Sequence, residues 1–198
     1  MEQKKYHHGD LKPALIAAGL AILETEGLPG LSLRACAARV GVSHAAPKNH
    51  FGSLKGLITA IAAEGFRLHA EFMRQGLTEG AARGGRLRAA MGGYARFAAA
   101  HPHLFELMFS PNYPDFADPV LRENAAASYG VLREISTGLD WDKAGALDGQ
   151  VKTEMMLWSL VHGYALLAMS GQFSKGGATG AAAYGIEEIM PGFGYLEG

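Results

Sequence analysis

The chain has 198 residues, 48% of them hydrophobic, which is enough apolar material for one large or two small globular domains and excludes a wholly disordered protein. Its formal net charge of −1 selects no partner by bulk electrostatics. A single cysteine, Cys36, excludes an intrachain disulfide and fits a cytoplasmic setting.

Apolar residues recur at helical spacing along the whole chain, and two-residue alternation is nearly absent, so an all-α fold is expected. The first helix starts after Asp10 as N-cap, with Pro13 in the first turn, where a missing N–H costs little. Leu11, Leu15, Ala18 and Ile22 form its inner stripe, widened by Ile16, Leu20 and Leu23, and Gly27 stops it. Ser32 caps a second helix with Leu33, Ala37 and Val40 inside, and Gly41 ends that one. A third helix capped by Ser43 runs to about Phe51. Pro47 is awkward within it and favours a later start or a tighter first turn. A long fourth helix is predicted over residues 53–75, followed by helices over 85–100, 103–109, 119–138, 147–170 and 181–190. Breaks are expected at Gly84-Gly85, His101-Pro102, the loop from Pro111 to Pro114, and the glycine-rich 171–180. The longest apolar run, residues 155–169, is shorter than the roughly 20 residues of a spanning helix and is interrupted by Ser159 and His162. The first ten residues are charged and polar, so no signal peptide is expected and no membrane association either.

The most specific pattern lies between Leu33 and Phe51. Two short helices meet at Gly41-Val42-Ser43. Ala37, one turn before Gly41, lets them approach, Gly41 supplies a positive φ, and Val42 plugs the angle. This is helix-turn-helix geometry, which sets a recognition helix in a DNA major groove. Charge agrees in sign: residues 1–60 carry seven lysines and arginines against four acids, a surplus of +3, and the remainder carries −4. A basic end on a mildly acidic body suits contact with phosphates.

At these residues the sequence resembles the TetR/AcrR family of one-component transcriptional regulators. The match is carried by Tyr6-His7-His8-Gly9-Asp10-Leu11, Gly27-Leu28, Leu31-Ser32-Leu33-Arg34, Gly41-Val42-Ser43-His44-Ala45-Ala46-Pro47 and His50-Phe51. The later part is similar to a ligand domain of the Trp-His-Gly type, through Tyr94-Ala95-Arg96-Phe97, His101-Pro102, Phe105-Glu106-Leu107-Met108-Phe109 and Trp158-Ser159-Leu160-Val161-His162-Gly163. The resemblance implies a three-helix DNA-binding domain (residues 1–62) and a helical-bundle domain for ligand binding and dimerisation (63–198), joined through the fourth helix. It further implies a homodimer that binds a near-palindromic operator in double-stranded DNA, represses, and releases the DNA when a small-molecule effector enters the C-terminal domain. Two positions depart from the family. Lys48 stands where a tyrosine is usual and Leu54 where a lysine is usual, both of them residues that hold phosphates. Lys48 can supply a charge in the tyrosine's place. Lys55, one position on, points about 100° further round its helix.

The candidate DNA contacts are Arg34, Ser43, His44, Ala45, Lys48, Asn49, His50 and Lys55. Asn49 can pair bidentately with adenine, and Lys48 can reach guanine or a phosphate. Lys4, Lys5, His7 and His8 are a candidate arm along the DNA. Cys36 is read as packing. For the effector, Phe97, Phe105, Met108, Met155, Trp158 and His162 form an apolar set with one polar member, the composition of a pocket for a mostly apolar molecule. The alternative is that each of them is ordinary core. His101, His103 and His162 lack a Glu or Cys to complete a metal set, and no metal or cofactor is expected. An enzyme is the rival class, but no nucleophile elbow, phosphate loop or metal signature occurs. A purely structural helical protein would leave the capped turn and the basic residues after it unexplained.

Overall fold

The computed structural model describes residues 11–77, 82–139, 148–174 and 184–190. Among these residues there are nine helices and no β-strand, in agreement with an all-α fold: α1 (Leu11–Gly30), α2 (Leu33–Val40), α3 (Ala46–Phe51), α4 (Leu54–Arg74), α5 (Arg83–Ala100), α6 (Pro102–Phe109), α7 (Pro119–Ser136), α8 (Gly149–Met169) and α9 (Ile186–Ile189). None of them is long and apolar enough to cross a membrane. The described residues form two compact units, those within 1–66 and 101–125 making one and those within 67–100 and 126–198 the other.

In the first unit, α1 buries Leu15, Ala18, Ile22 and Leu23. At Gly27 the backbone takes φ 68°, ψ −173°, which a side chain would strain. This is the stop expected from the sequence, and residues 28–30 add a short turn in a new direction. Ser32 Oγ accepts a 3.0 Å hydrogen bond from the Ala35 N–H, capping α2 as its hydroxyl predicts. α6 packs on α1 and brings a fully buried Leu104, Phe105 and Met108 with it. Gly65 of α4 makes room for this helix: a Cβ there would lie 2.5 Å from Met108 Sδ. Phe66 and Phe109 meet edge to face at 5.5 Å. The α6–α7 connection is tied down by the Asp115 N–H, which donates to Thr59 Oγ1 at 2.9 Å. Asp118 caps α7 through the Val120 and Leu121 N–H groups, and Asn124 Nδ2 donates to the Ala63 carbonyl at 3.0 Å.

In the second unit, the final turns of α4 press on α5 at Gly93, where any Cβ would collide with the Phe72 carbonyl and the Met73 backbone. The inner face of α5 (Leu87, Ala90, Met91, Tyr94, Phe97) is buried. α5 packs on α8, whose buried face runs through Leu157, Val161 and Ala165. The last helix is shorter than the sequence pattern suggests. A helix over 181–190 was expected, but α9 begins only at Ile186, after an extended Gly185 (φ −76°, ψ 166°). Residues 181–183 lie outside the described residues. Met190 is again extended, as a residue before proline prefers. Ile186 is buried in the packing of α9 on α5.

Candidate nucleic-acid interface and ligand domain

The turn between α2 and α3 has the geometry read from the sequence. Gly41 is left-handed (φ 77°, ψ 32°). Its N–H and that of Val42 both donate to the Ala37 carbonyl at 3.0 Å, the double bond of a glycine-terminated helix. Ala37 and Cys36 are fully buried, so Cys36 is a packing residue, and burial pushes its thiol pKa up. Ser43 does not cap α3. The helix begins at Ala46, its N-cap Ala45 makes no side-chain bond, and Pro47 sits in the first turn. The physical reason is the missing proline N–H: a start at Ala46 places Pro47 where no intrahelical donor is required. Pro47 is also buried, so it plugs the space beneath the helix.

α4 follows after a tight turn. Gly52 is left-handed (φ 70°), Ser53 Oγ accepts from the Gly56 N–H at 3.2 Å, and a side chain at Gly56 would strike the Phe51 carbonyl. The end of α3 and the start of α4 are therefore fixed against each other. All eight candidate DNA contacts belong to this first unit, and Arg34, Ser43, His44, Ala45, Lys48, Asn49, His50 and Lys55 are all exposed. Leu54 is exposed as well, at 38%, an unusual place for an apolar side chain. The arm residues Lys4, Lys5, His7 and His8 lie outside the described residues.

The six candidate ligand residues are divided between the two units. Phe105 and Met108 fall in the first unit and are packed in its core; Phe97, Met155, Trp158 and His162 fall in the second. The helical spacing that suggested an interior set does not distinguish a pocket from a core or from an exposed stripe. Phe97 is fully buried, whereas Met155 is 60% and Trp158 40% exposed. With Val151 and Leu166 they run along one side of α8, and these four are exposed apolar residues at the spacing of a helix seam.

Beneath that stripe lies polar chemistry the sequence reading missed. Tyr94 Oη and His162 Nδ1 are 2.7 Å apart, and burial lowers the His162 pKa and raises that of Tyr94. His69 is 2% exposed. Its Nδ1 lies 2.7 Å from Ser128 Oγ, its ring meets Tyr94 edge-on at 4.3 Å, and burial, helped by the nearby His162, pushes its pKa down to about 3. Glu154, also 2% exposed, accepts from Tyr129 Oη at 2.6 Å and from Gln150 Nε2 at 2.9 Å. His69 could have been found: Ala62, Phe66, His69 and Met73 step along α4 at intervals of four, three and four, which places the histidine on the buried stripe. Among the described residues no three His, Cys, Asp or Glu side chains are grouped to hold a metal.

Residues 87–186 match the family described as tetracyclin repressor-like, C-terminal domain. A search of curated proteins gave no match. Among solved structures, the chain is similar to a protein of unknown function from Rhodococcus sp. RHA1, with 30% identity over 94% of this chain and 92% of that one and a TM-score of 0.73. It shares its fold with a possible TetR family transcriptional regulator from Streptomyces coelicolor A3(2), at 19% identity, 87% and 78% coverage and a TM-score of 0.58. It also shares it with the TetR-like regulator LfrR from Mycobacterium smegmatis, solved in complex with proflavine, at 17% identity, 81% and 86% coverage and a TM-score of 0.56. With its N-terminal helix-turn-helix and a C-terminal domain matched over residues 87–186, the chain belongs to the TetR family of transcriptional regulators, which are not enzymes.

Proposed function

We propose that the protein is a repressor that binds a near-palindromic operator as a homodimer and leaves it when a small, mostly apolar molecule enters its C-terminal domain. The observation that carries the reading is the exposure of Lys48, Asn49 and His50 on α3 and of Ser43, His44 and Ala45 just before it, behind a turn closed by a left-handed glycine. A surface of this kind suits base and phosphate contacts. The exposed apolar stripe of α8 supports pairing with a second copy, since a single helix-turn-helix module grips too few base pairs and a two-fold dimer reads two half-sites. For the effector, the second unit offers the Tyr94 hydroxyl beside His162, with the half-exposed Trp158 ring on the same helix as His162. LfrR, of the same fold, was solved with the aromatic compound proflavine. An effector needs only about 1.4 kcal/mol of preference for one of two states to change operator affinity tenfold.

The test is fluorescence anisotropy with DNA from upstream of the protein's own gene. The double variant K48A/N49A should bind operator at least tenfold more weakly and with a shallower dependence on salt, because a cation that displaces counterions is gone. Unchanged affinity would remove the recognition-helix assignment. Compounds that raise the melting temperature are then added to the complex. If every stabilising compound leaves DNA affinity unchanged, release by an effector is wrong.

A further inference from the structure

The kink in α1 has a consequence on the surface of the first unit. Where residues 28–30 turn away from the helix axis, a cleft of about 620 Å³ opens between the end of α1 and α6. It is lined by Leu23, Glu26, Leu28 and Pro29 on one side and by His103, Glu106, Leu107 and Tyr113 on the other. Its size is that of a site for a small organic molecule.

Two glycines shape the walls. Gly27 can take its left-handed conformation, and the position its Cβ would occupy is 3.9 Å from His103 Cε1, so the imidazole rides over bare backbone. Gly30 leaves room for the Glu26 side chain: a Cβ there would lie 2.5 Å from Glu26 Cβ and 2.8 Å from Glu26 Oε2. The Glu26 carboxylate is therefore seated against the backbone. Among the described residues the lining contains two carboxylates, Glu26 and Glu106, and no lysine or arginine. Apart from the His103 imidazole and the hydroxyls of Thr25 and Ser110 the rest is apolar, with the exposed ring of Tyr113 along one edge. An ammonium group can be neutralised by the carboxylates while an apolar body lies on Leu23, Leu28, Pro29 and the Tyr113 ring, an arrangement that also favours a cation over an aromatic face.

We propose that this cleft is a binding site for a small organic cation, an amine with an aromatic or aliphatic body, separate from the effector site in the second unit. It does not depend on the reading of that site.

The experiment uses the full-length protein and 4-phenylbutylamine, which is protonated at pH 7.5, against the neutral 4-phenylbutan-1-ol. Calorimetry should give saturable binding of the amine and at least fivefold weaker binding of the alcohol. Amide chemical-shift changes on adding the amine should cluster at residues 23–30 and 103–113. The exposed pair change E26Q/E106Q should weaken the amine at least fivefold without moving the melting temperature. G30A, which displaces the Glu26 side chain, should weaken it too. Equal affinity for amine and alcohol, shifts confined to 149–169, an unaffected E26Q/E106Q protein, or no binding up to 5 mM amine would each overturn the proposal.

Discussion

Burial of an imidazole with a pKa near 3 makes the stability of the second unit depend on pH, and the size of the effect follows from the shift. In the unfolded chain His69 titrates at its ordinary value of 6.5, whereas in the folded protein it titrates at about 3. Between those values the unfolded state binds a proton that the folded state refuses, so stability is present in full above pH 6.5 and is lost as the pH falls towards 3. At pH 5.0 the unfolded state is favoured by 2.3RT times the logarithm of one plus ten to the power 1.5, about 2 kcal/mol, against almost nothing at pH 7.5. For a chain of this length that is a fall of about 4–8 °C in melting temperature. The perturbation is H69Q, which keeps a polar partner for Ser128 and removes the titration. The assay is urea unfolding of both proteins at pH 7.5 and 5.0 at one fixed protein concentration. Wild type should lose more stability on acidification than H69Q, by about 2 kcal/mol. His162, whose pKa is also lowered by burial, adds a loss of the same sign to both proteins. An H69Q protein with the pH dependence of wild type would refute the reasoning.

Three further outcomes are expected. G41A should cost about 1–2 kcal/mol in thermal unfolding, from left-handed backbone alone, since nothing lies within 4 Å of an added Cβ; a cost below 0.3 kcal/mol, roughly the error of the measurement, would mean that the turn relaxes out of that conformation. M155E puts a charge in the exposed stripe of α8 and should raise the dimer dissociation constant by about 30-fold or more, the effect of about 2 kcal/mol at an interface centre; light scattering that finds the same dimer at low micromolar concentration would reject α8 as the seam. Y129F removes the donor to the buried Glu154 carboxylate at 2.6 Å and should cost about 1–2 kcal/mol; an unchanged urea midpoint would show that water replaces the hydroxyl.

What was legible in the sequence was local chemistry. Ser32 as a cap, Gly27 and Gly41 as stops and the α2–α3 turn each depend on residues a few positions apart, and each side chain admits few backbone solutions. Helix boundaries came within two residues for α4 to α8 for the same reason. Pro47 shows where local chemistry competes: a hydroxyl at Ser43 suited to capping lost to a proline whose missing N–H sets the helix start. Which of the candidate ligand residues are buried and which exposed was not legible, because periodicity reports which face of a helix is apolar and not what covers it. Met155 and Phe97 look alike in sequence, yet one is exposed and the other sealed against His69 and Phe72. The polar pairs His69–Ser128 and Tyr94–His162 join residues more than fifty positions apart, a distance no window of residues reaches. The last helix was expected to run through residues 184 and 185, which stand outside it, because the alanine-rich pattern before them reads as helical.

Helices in most proteins touch through two layers of side chains, which act as a cushion: rotamers shift and absorb small displacements before the backbone feels them. At Gly93 that cushion is missing. The Phe72 carbonyl and the Met73 backbone of α4 occupy the volume a side chain on α5 would need, so main chain bears directly on main chain. Protein interiors are stiff, and a contact with no rotamers to adjust is stiffer still. Within the second unit, an approach of α5 towards α4 at this point cannot be taken up by rotamers and bears directly on the backbone of residues 72 and 73.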